Sequence, residues 1–297
     1  MRAIEPHAAS GNPAPARNAV LALMASGVVW GIAWWPLKLF ARAGLTAHAI
    51  CLSAYTVVAL ASLPLIWRER HRWQAERWHL LAIGLLFGAA NFAFTAALTM
   101  GPVLRAMLLF YLLPAWGALG GALFLHERLG PRRLLAVALS LAGVFVIMGG
   151  ASLFHQALSR ADCMALAAGF CYSAAGIANR KASSIPILSR TLVAFSGCAV
   201  IAVAMLPWSS PSFPLLTPST WLMLLLFTLV WLLAGTFLTT YGVTHIEASR
   251  AGVLQVIELL VAVVTAIWIG GEQPGLHDAM GGALIVAATL IEARNSS

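Results

Sequence analysis

The side chains most able to do chemistry here are polar groups that interrupt long apolar runs. Gln255 and Glu258 lie three residues apart within the run 249–269, so a helix would place them on one face. An apolar environment disfavours the charged form of a carboxyl group, so Glu258 needs a partner, a proton or water. It could meet a cationic solute or a proton, or it could pair with Arg105 or Asn91 inside the protein. Asn91 carries a single amide, which favours a hydrogen bond between helices.

Aromatic residues form a second group of candidates. Trp30 and Trp34 are four residues apart, so one continuous helix would place them in a single stripe. When the second half of the sequence is aligned with the first, Tyr172 falls on Trp30. A weakly polar cavity walled by such rings would suit flat amphipathic solutes, although packing is the commoner role of any single aromatic residue. The predicted solute-binding residues are Trp30, Trp34, Asn91, Thr95, Tyr111, Tyr172, Trp231, Gln255 and Glu258.

Patterns typical of enzymes are missing from the sequence. It contains no HExxH, GxxxxGK[ST] or GxSxG motif, and no paired carboxylates on one helical face. Without a phosphate-binding loop, an ATP-driven pump within this chain is not expected. The four cysteines lie in apolar runs without CxxC spacing, which favours buried thiols over disulfides or metal ligands. We therefore expect no enzymatic activity, no metal site and no cofactor.

The composition indicates an integral membrane protein. Hydrophobic residues make up 61% of the chain and charged residues only 9%, against about 25% charged in soluble domains. The mean hydropathy is +0.87. Although the net charge is +8, the basic residues lie between the apolar runs, so we expect no nucleic acid as a partner. The expected partners are the lipid bilayer and a small-molecule substrate, and a monomer is plausible.

The apolar runs predict an all-α membrane protein with ten transmembrane helices. A spanning helix needs about 20 mostly apolar residues. A disordered cytoplasmic tail, 1–18, is expected before two five-helix repeats, 19–150 and 151–297. The predicted spans are 19–41, 46–66, 78–100, 103–125, 132–150, 161–180, 188–207, 219–241, 249–269 and 277–293.

The two halves of the sequence resemble each other. A constant shift superposes Arg105 on Arg250 and Glu127 on Glu272. Because each half would hold an odd number of helices, the repeats must be inverted, as in many secondary transporters. With both termini in the cytoplasm, the outer side carries few basic residues, as the positive-inside rule expects. These are Lys38, Arg42, Arg105 and Arg160.

Several short motifs resemble those of the EamA-type exporters in the drug/metabolite transporter superfamily. They are Trp30–Gly31 followed by Lys38, Pro114 followed by Glu127, and Gly271–Glu272 before a glycine-containing last helix. The resemblance covers about 19–293 and is greatest to the YddG-type exporters of aromatic amino acids and metabolites.

This resemblance implies a protein of the bacterial inner membrane. It would export small amphipathic metabolites, including aromatic amino acids, by alternating access through a central cavity. A multidrug or cationic-compound exporter of the same fold is the alternative, and a receptor or scaffold without transport is a further one.

Two departures from the family pattern limit what the resemblance implies. Leu259 stands where the second repeat would match Pro114, and the first span contains no acidic residue. Small four-helix relatives use a membrane-embedded glutamate in their first helix, so their proton-exchange mechanism does not carry over. The sequence is compatible with either proton-coupled or downhill transport.

Three residues are predicted to act in gating. Pro36 and Pro114 would kink the first and fourth spans, because proline removes a hydrogen bond from a helix and its ring displaces the preceding turn. Lys38 lies near the outer end of the first span. Its long side chain could reach water there or hold the outer mouth of the path closed.

Overall fold

The computed structural model describes residues 13–73, 76–125, 130–147, 158–182, 184–245 and 248–295. The regular elements within these ranges are helical. The α-helices are α1 (Pro13–Gly31), α2 (Trp34–Arg42), α3 (Ala47–Glu69), α4 (Arg77–Met100), α5 (Val103–Phe110), α6 (Leu113–Leu125), α7 (Pro131–Ile147), α8 (Arg160–Lys181), α9 (Ile187–Ala204), α10 (Pro218–Leu226), α11 (Leu233–His245), α12 (Ala248–Trp268) and α13 (Leu276–Asn295).

Seven helical segments in the described part of the chain are long and apolar enough to cross a membrane, which makes this a multi-pass membrane protein. The predicted spans 132–150, 249–269 and 277–293 coincide with α7, α12 and α13. Shorter apolar stretches, Leu254–Trp268 and Leu276–Ile291, are described for the last two, so ten crossings stay a prediction. The seven segments are Arg17–Arg42, Ala47–Glu69, Arg77–Met100, Val103–Leu123, Arg160–Asn179, Ile187–Ala204 and Pro218–Gly242.

The first membrane segment begins earlier than the sequence predicts. Helix α1 starts at Pro13, so residues 13–18 of the predicted disordered tail 1–18 are helical. Proline is tolerated in the first turn of a helix, because the N–H groups there have no intrahelical acceptor. Residues 1–12 lie outside the described part of the chain, as does Glu127.

A proline divides the first membrane segment into two helices. Pro36 has no N–H to donate to the carbonyl of Ile32, and this carbonyl accepts from the Trp35 N–H at 3.0 Å instead. The N–H of Ala33 donates to the Trp30 carbonyl at 3.1 Å, one residue short of its α-helical acceptor. Helix α1 therefore ends at Gly31 and α2 begins at Trp34.

Two further membrane segments are irregular. Helices α5 and α6 are separated at Tyr111 and Leu112, just before Pro114, so the aromatic ring of Tyr111 lies at a helix break. Between α10 and α11 the chain forms a π-helical segment, Phe227–Leu232. Such π segments are rare and frequently occur at functional sites.

Glycines bring the helices that surround these breaks into close contact. A Cβ atom on Gly31 of α1 would lie 2.8 Å from the Glu258 carbonyl oxygen of α12. A Cβ atom on Gly169 of α8 would lie 2.5 Å from the Phe110 carbonyl oxygen at the end of α5. Backbones that approach this closely leave room only for hydrogen at these positions. Helices α1, α5, α8 and α12 therefore converge around the segment that carries Glu258.

Candidate solute site

Glu258 of α12 lies among tyrosines from two other helical segments. The carboxyl group is a side-chain hydrogen-bond partner of Tyr111, and Tyr172 of α8 is close enough to interact with it electrostatically. Tyr111 is buried, with 4% of its surface exposed, whereas Tyr172 is 40% exposed. The structure thus brings two predicted site residues, Tyr111 and Tyr172, to the carboxyl group of a third, Glu258.

The partners that the sequence suggested for Glu258 are engaged elsewhere. Arg105 Nε donates to Asp162 Oδ1 at 2.8 Å, which ties the start of α5 to the start of α8. Asn91 Oδ1 accepts from the Tyr55 hydroxyl at 2.9 Å, and its Nδ2 donates to the Phe87 carbonyl at 3.0 Å. Arg105 and Asn91 thus have other hydrogen-bond partners, whereas the side chain described as hydrogen-bonded to Glu258 is Tyr111.

Phenylalanine rings extend the wall formed by the two tyrosines. The ring centroid of Phe110 is 5.6 Å from that of Tyr111 and 5.6 Å from that of Tyr172. Phe87 of α4 is 5.9 Å from Tyr172, and Phe94 is 4.5 Å from Phe110. These spacings are typical of packed aromatic pairs. Glu258 therefore faces a surface that is aromatic and carries two hydroxyl groups.

Trp30 and Trp34 do not form the single stripe that their spacing predicts. Trp30 Nε1 donates to the Thr239 hydroxyl of α11 at 3.2 Å, whereas Trp34 Nε1 donates to the Thr265 hydroxyl of α12 at 2.9 Å. The prediction assumed one continuous helix, whereas the chain is interrupted between Gly31 and Trp34. The two indoles consequently belong to different helix contacts.

Trp231 of the π-helical segment forms a hydrogen bond at the break in the first membrane segment. Its Nε1 donates at 2.9 Å to the carbonyl of Val29. In a continuous helix this carbonyl would accept from the N–H of Ala33, which instead donates to Trp30. The two irregular segments therefore satisfy each other's hydrogen-bonding groups, which is what an apolar environment requires.

The remaining predicted residues lie at varied places. Thr95 is buried on α4, where its carbonyl accepts from the Thr99 hydroxyl at 2.8 Å. Gln255 is half-buried on α12, one turn before Glu258. The side chain of Pro114 lies outside the described part of the chain.

A second polar region lies at the far end of α2. Lys38 Nζ donates to the Gly101 carbonyl at 2.6 Å. The Glu272 carboxylate accepts from the N–H groups of Val103 and Leu104 at 2.6 and 2.8 Å, so it caps the N-terminus of α5. Both interactions converge on the turn between α4 and α5, because this turn offers free backbone groups.

The sequence predicts the candidate site residues but not the residues to which they hydrogen-bond. Tyr55 hydrogen-bonds to Asn91, Thr265 accepts from Trp34, and Glu272 caps α5. The partners in each of these contacts are far apart in sequence. One signal was available: Gly27 and Gly31 have the small-xxx-small spacing that marks a close helix contact, and both pack on α12 beside Glu258.

The first half of the chain, 17–149, and the second half, 159–292, each match the model of the EamA-like transporter family. The chain belongs to this family. It is 32% identical over 134 residues to an uncharacterized transporter of Pseudomonas aeruginosa, a match that covers 43% of this chain and 45% of that relative. The chain thus spans less than half the length of this relative. A protein crystal structure with 20% identity shares the fold, with a TM-score of 0.58 over 93% of this chain and 96% of that one.

Membership of the EamA-like family gives the membrane segments a general role. The family consists of transporters, which implies a small-molecule substrate and lipid surroundings. The candidate site for such a substrate is the Glu258 carboxyl group with the aromatic rings around it.

Proposed function

We propose that this EamA-like protein is a secondary transporter that exports small amphipathic metabolites, among them aromatic amino acids, in the manner of the YddG-type exporters. The observation that carries the proposal is the Glu258 carboxyl group, which faces Tyr111 and Tyr172 where α1, α5, α8 and α12 converge. A carboxylate in such surroundings is costly unless a cationic group meets it.

The chemistry of this site matches an amino acid in two respects. The ammonium group of the solute would pair with the Glu258 carboxylate, and the Tyr111 hydroxyl would keep that carboxylate oriented. An aromatic side chain of the solute would stack on the wall formed by Phe110 and Tyr172, whose centroids lie 5.6 Å apart. Tyr172, being partly exposed, is the ring that the solute would reach first.

Alternating access is the proposed mechanism, with ten spans arranged as two inverted five-helix repeats. Two matches to one family model support a repeated architecture. Corresponding close contacts support it further, because Gly27 packs on α12 as Gly169 packs on the end of α5. The proposed location is the bacterial inner membrane with both termini in the cytoplasm, where most of the basic residues would lie. Pro36, Pro114 and Lys38 remain the proposed gating residues.

A lipophilic cation is the second candidate substrate, because a carboxylate among aromatic rings also suits a quaternary or delocalised cation. Counterflow in proteoliposomes separates the two. The purified protein would be loaded with unlabelled L-phenylalanine or unlabelled tetraphenylphosphonium, and accumulation of the same labelled compound would be measured.

We expect saturable counterflow of labelled L-phenylalanine that empty liposomes do not show. Counterflow of tetraphenylphosphonium alone would overturn the amino-acid assignment in favour of the cation. Counterflow of neither compound would contradict both substrates and leave the receptor or scaffold role.

A further inference from the structure

A cavity of about 380 Å³ lies at the far end of α2, apart from the Glu258 site. It is called the Lys38 cavity here. Trp34 lines it, and Thr265, the hydrogen-bond partner of Trp34, follows Glu258 by seven residues on α12. At about 1.5 Å of rise per residue, these seven residues separate the two regions by about 10 Å along the helix. The lining residues include Trp34, Lys38, Arg42, Thr99, Gly270 and Glu272.

Two positive charges face the Lys38 cavity from one helix. Lys38 and Arg42 are four residues apart on α2, so they lie on the same face and repel each other. Lys38 commits one of its three donors to the Gly101 carbonyl at 2.6 Å. Both residues line the cavity, and Lys38 retains donors that an anionic group could use.

The acidic residue of the cavity, Glu272, lies close enough to Lys38 to interact with it electrostatically. Both oxygens of Glu272 accept backbone hydrogen bonds, from Val103 at 2.6 Å and Leu104 at 2.8 Å. The negative charge of Glu272 is thereby held by the N-terminus of α5. An incoming carboxylate would therefore meet two cations and one acidic residue whose own hydrogen bonds are already made to backbone N–H groups.

Trp34 supplies an aromatic wall whose position is fixed. Its indole N–H is held by Thr265 at 2.9 Å, and the side chain is 4% exposed. Gly270 gives the ring its space, because a Cβ atom there would lie 3.2 Å from the Trp34 Cη2 atom. The cavity volume falls in the range of about 300–1,000 Å³ that small-molecule sites occupy.

We propose that the Lys38 cavity is a second solute site, which binds the carboxylate of an amphipathic amino acid on Lys38 and Arg42 and its apolar side chain against Trp34. The proposal rests on the proposed function, since it assumes that amino acids are transported. It adds a recognition element for the carboxylate, whereas the Glu258 site recognises the ammonium group.

Two probes that differ only in this carboxylate test the proposal. L-phenylalanine and L-phenylalaninamide share the ring, and both carry an ammonium group at about pH 6, but the amide has no negative charge. Counterflow KM values would be measured for both probes with the wild-type protein and with Arg42→Gln, Arg42→Lys and Arg160→Gln. Arg160 is exposed at the start of α8 and does not line the cavity, so Arg160→Gln is the matched loss of charge.

Arg42→Gln should raise the KM for L-phenylalanine about three- to tenfold, because Arg42 is exposed and its charge is partly screened. The KM for the amide should stay within about twofold, Arg42→Lys should restore most of the affinity, and Arg160→Gln should change neither KM. An equal effect of Arg42→Gln on both probes, or no effect on either, would overturn the second site while leaving transport intact. If the wild-type protein moves neither probe, the proposed function fails and the second site fails with it.

Discussion

Replacing Trp231 by phenylalanine tests how the protein tolerates its broken first segment. The substitution keeps an aromatic ring but removes the N–H that donates to the Val29 carbonyl at 2.9 Å. That carbonyl has lost its helical donor, since the Ala33 N–H bonds to Trp30. Interhelical hydrogen bonds in membrane proteins contribute about 0.6 kcal/mol on average and up to about 1.7 kcal/mol. Because this one satisfies a freed backbone group, we expect Trp231→Phe to lower the free energy of unfolding by about 1 kcal/mol.

The measurement is equilibrium unfolding in mixed lipid–detergent micelles, followed by circular dichroism. Trp268→Phe is the matched control, because Trp268 is 84% exposed and loses the same atoms on substitution. A second comparison adds Pro36→Ala, which returns an N–H to α2 and allows the helix to close, so the cost of Trp231→Phe should shrink in that background. If Trp231→Phe and Trp268→Phe have the same free energy of unfolding, the role assigned to the Val29 carbonyl is refuted.

Three further predictions concern stability and use the same unfolding assay. Glu272→Ala should cost about 1–2 kcal/mol, because it leaves two N–H groups at the start of α5 without their carboxylate, and an equally stable variant would contradict this capping role. Asp162→Asn should lower the free energy of unfolding by about 1 kcal/mol, since the partly exposed Arg105 loses its charged partner at 2.8 Å, and a variant as stable as the wild type would contradict this pairing. Gly88→Ala should destabilise the protein, because the added Cβ atom would lie 2.5 Å from a backbone carbonyl of α9. The added Cβ atom of Gly176→Ala would meet open space, so this variant should be as stable as the wild type or more stable by up to about 1 kcal/mol. If Gly176→Ala were the less stable of the two, the close contact of Gly88 with α9 would be contradicted.

The positions of the membrane segments were largely predictable from the sequence. The expected spans 46–66 and 78–100 correspond to α3 and α4, because uninterrupted apolar runs of this length have few alternatives to a helix. The irregular stretch Phe227–Leu232 was not predictable, since its residues are apolar and would suit a regular helix equally well. The segment carries Trp231, whose hydrogen bond to Val29 of α1 is a tertiary contact that the local sequence does not encode.

The candidate site was predictable in its members but not in its pairs. Glu258 and Tyr111 stand out as polar groups in apolar runs, yet their contact depends on the break between α5 and α6. For the same reason the Trp30/Trp34 stripe was wrong: spacing along the chain describes one face only while the helix continues. Breaks in helices therefore decide which polar side chains meet.

The role of Glu258 in binding the solute is the central claim, and L-phenylalanine counterflow with Glu258→Gln tests it most directly. Loss of a charged hydrogen bond to the solute ammonium group costs about 1.5–3 kcal/mol, so kcat/KM should fall by about tenfold or more. Glu258→Asp, which keeps the charge, should retain more activity than Glu258→Gln, and both variants should be checked for correct folding by circular dichroism. A folded Glu258→Gln protein that transports L-phenylalanine as fast as the wild type would contradict the account.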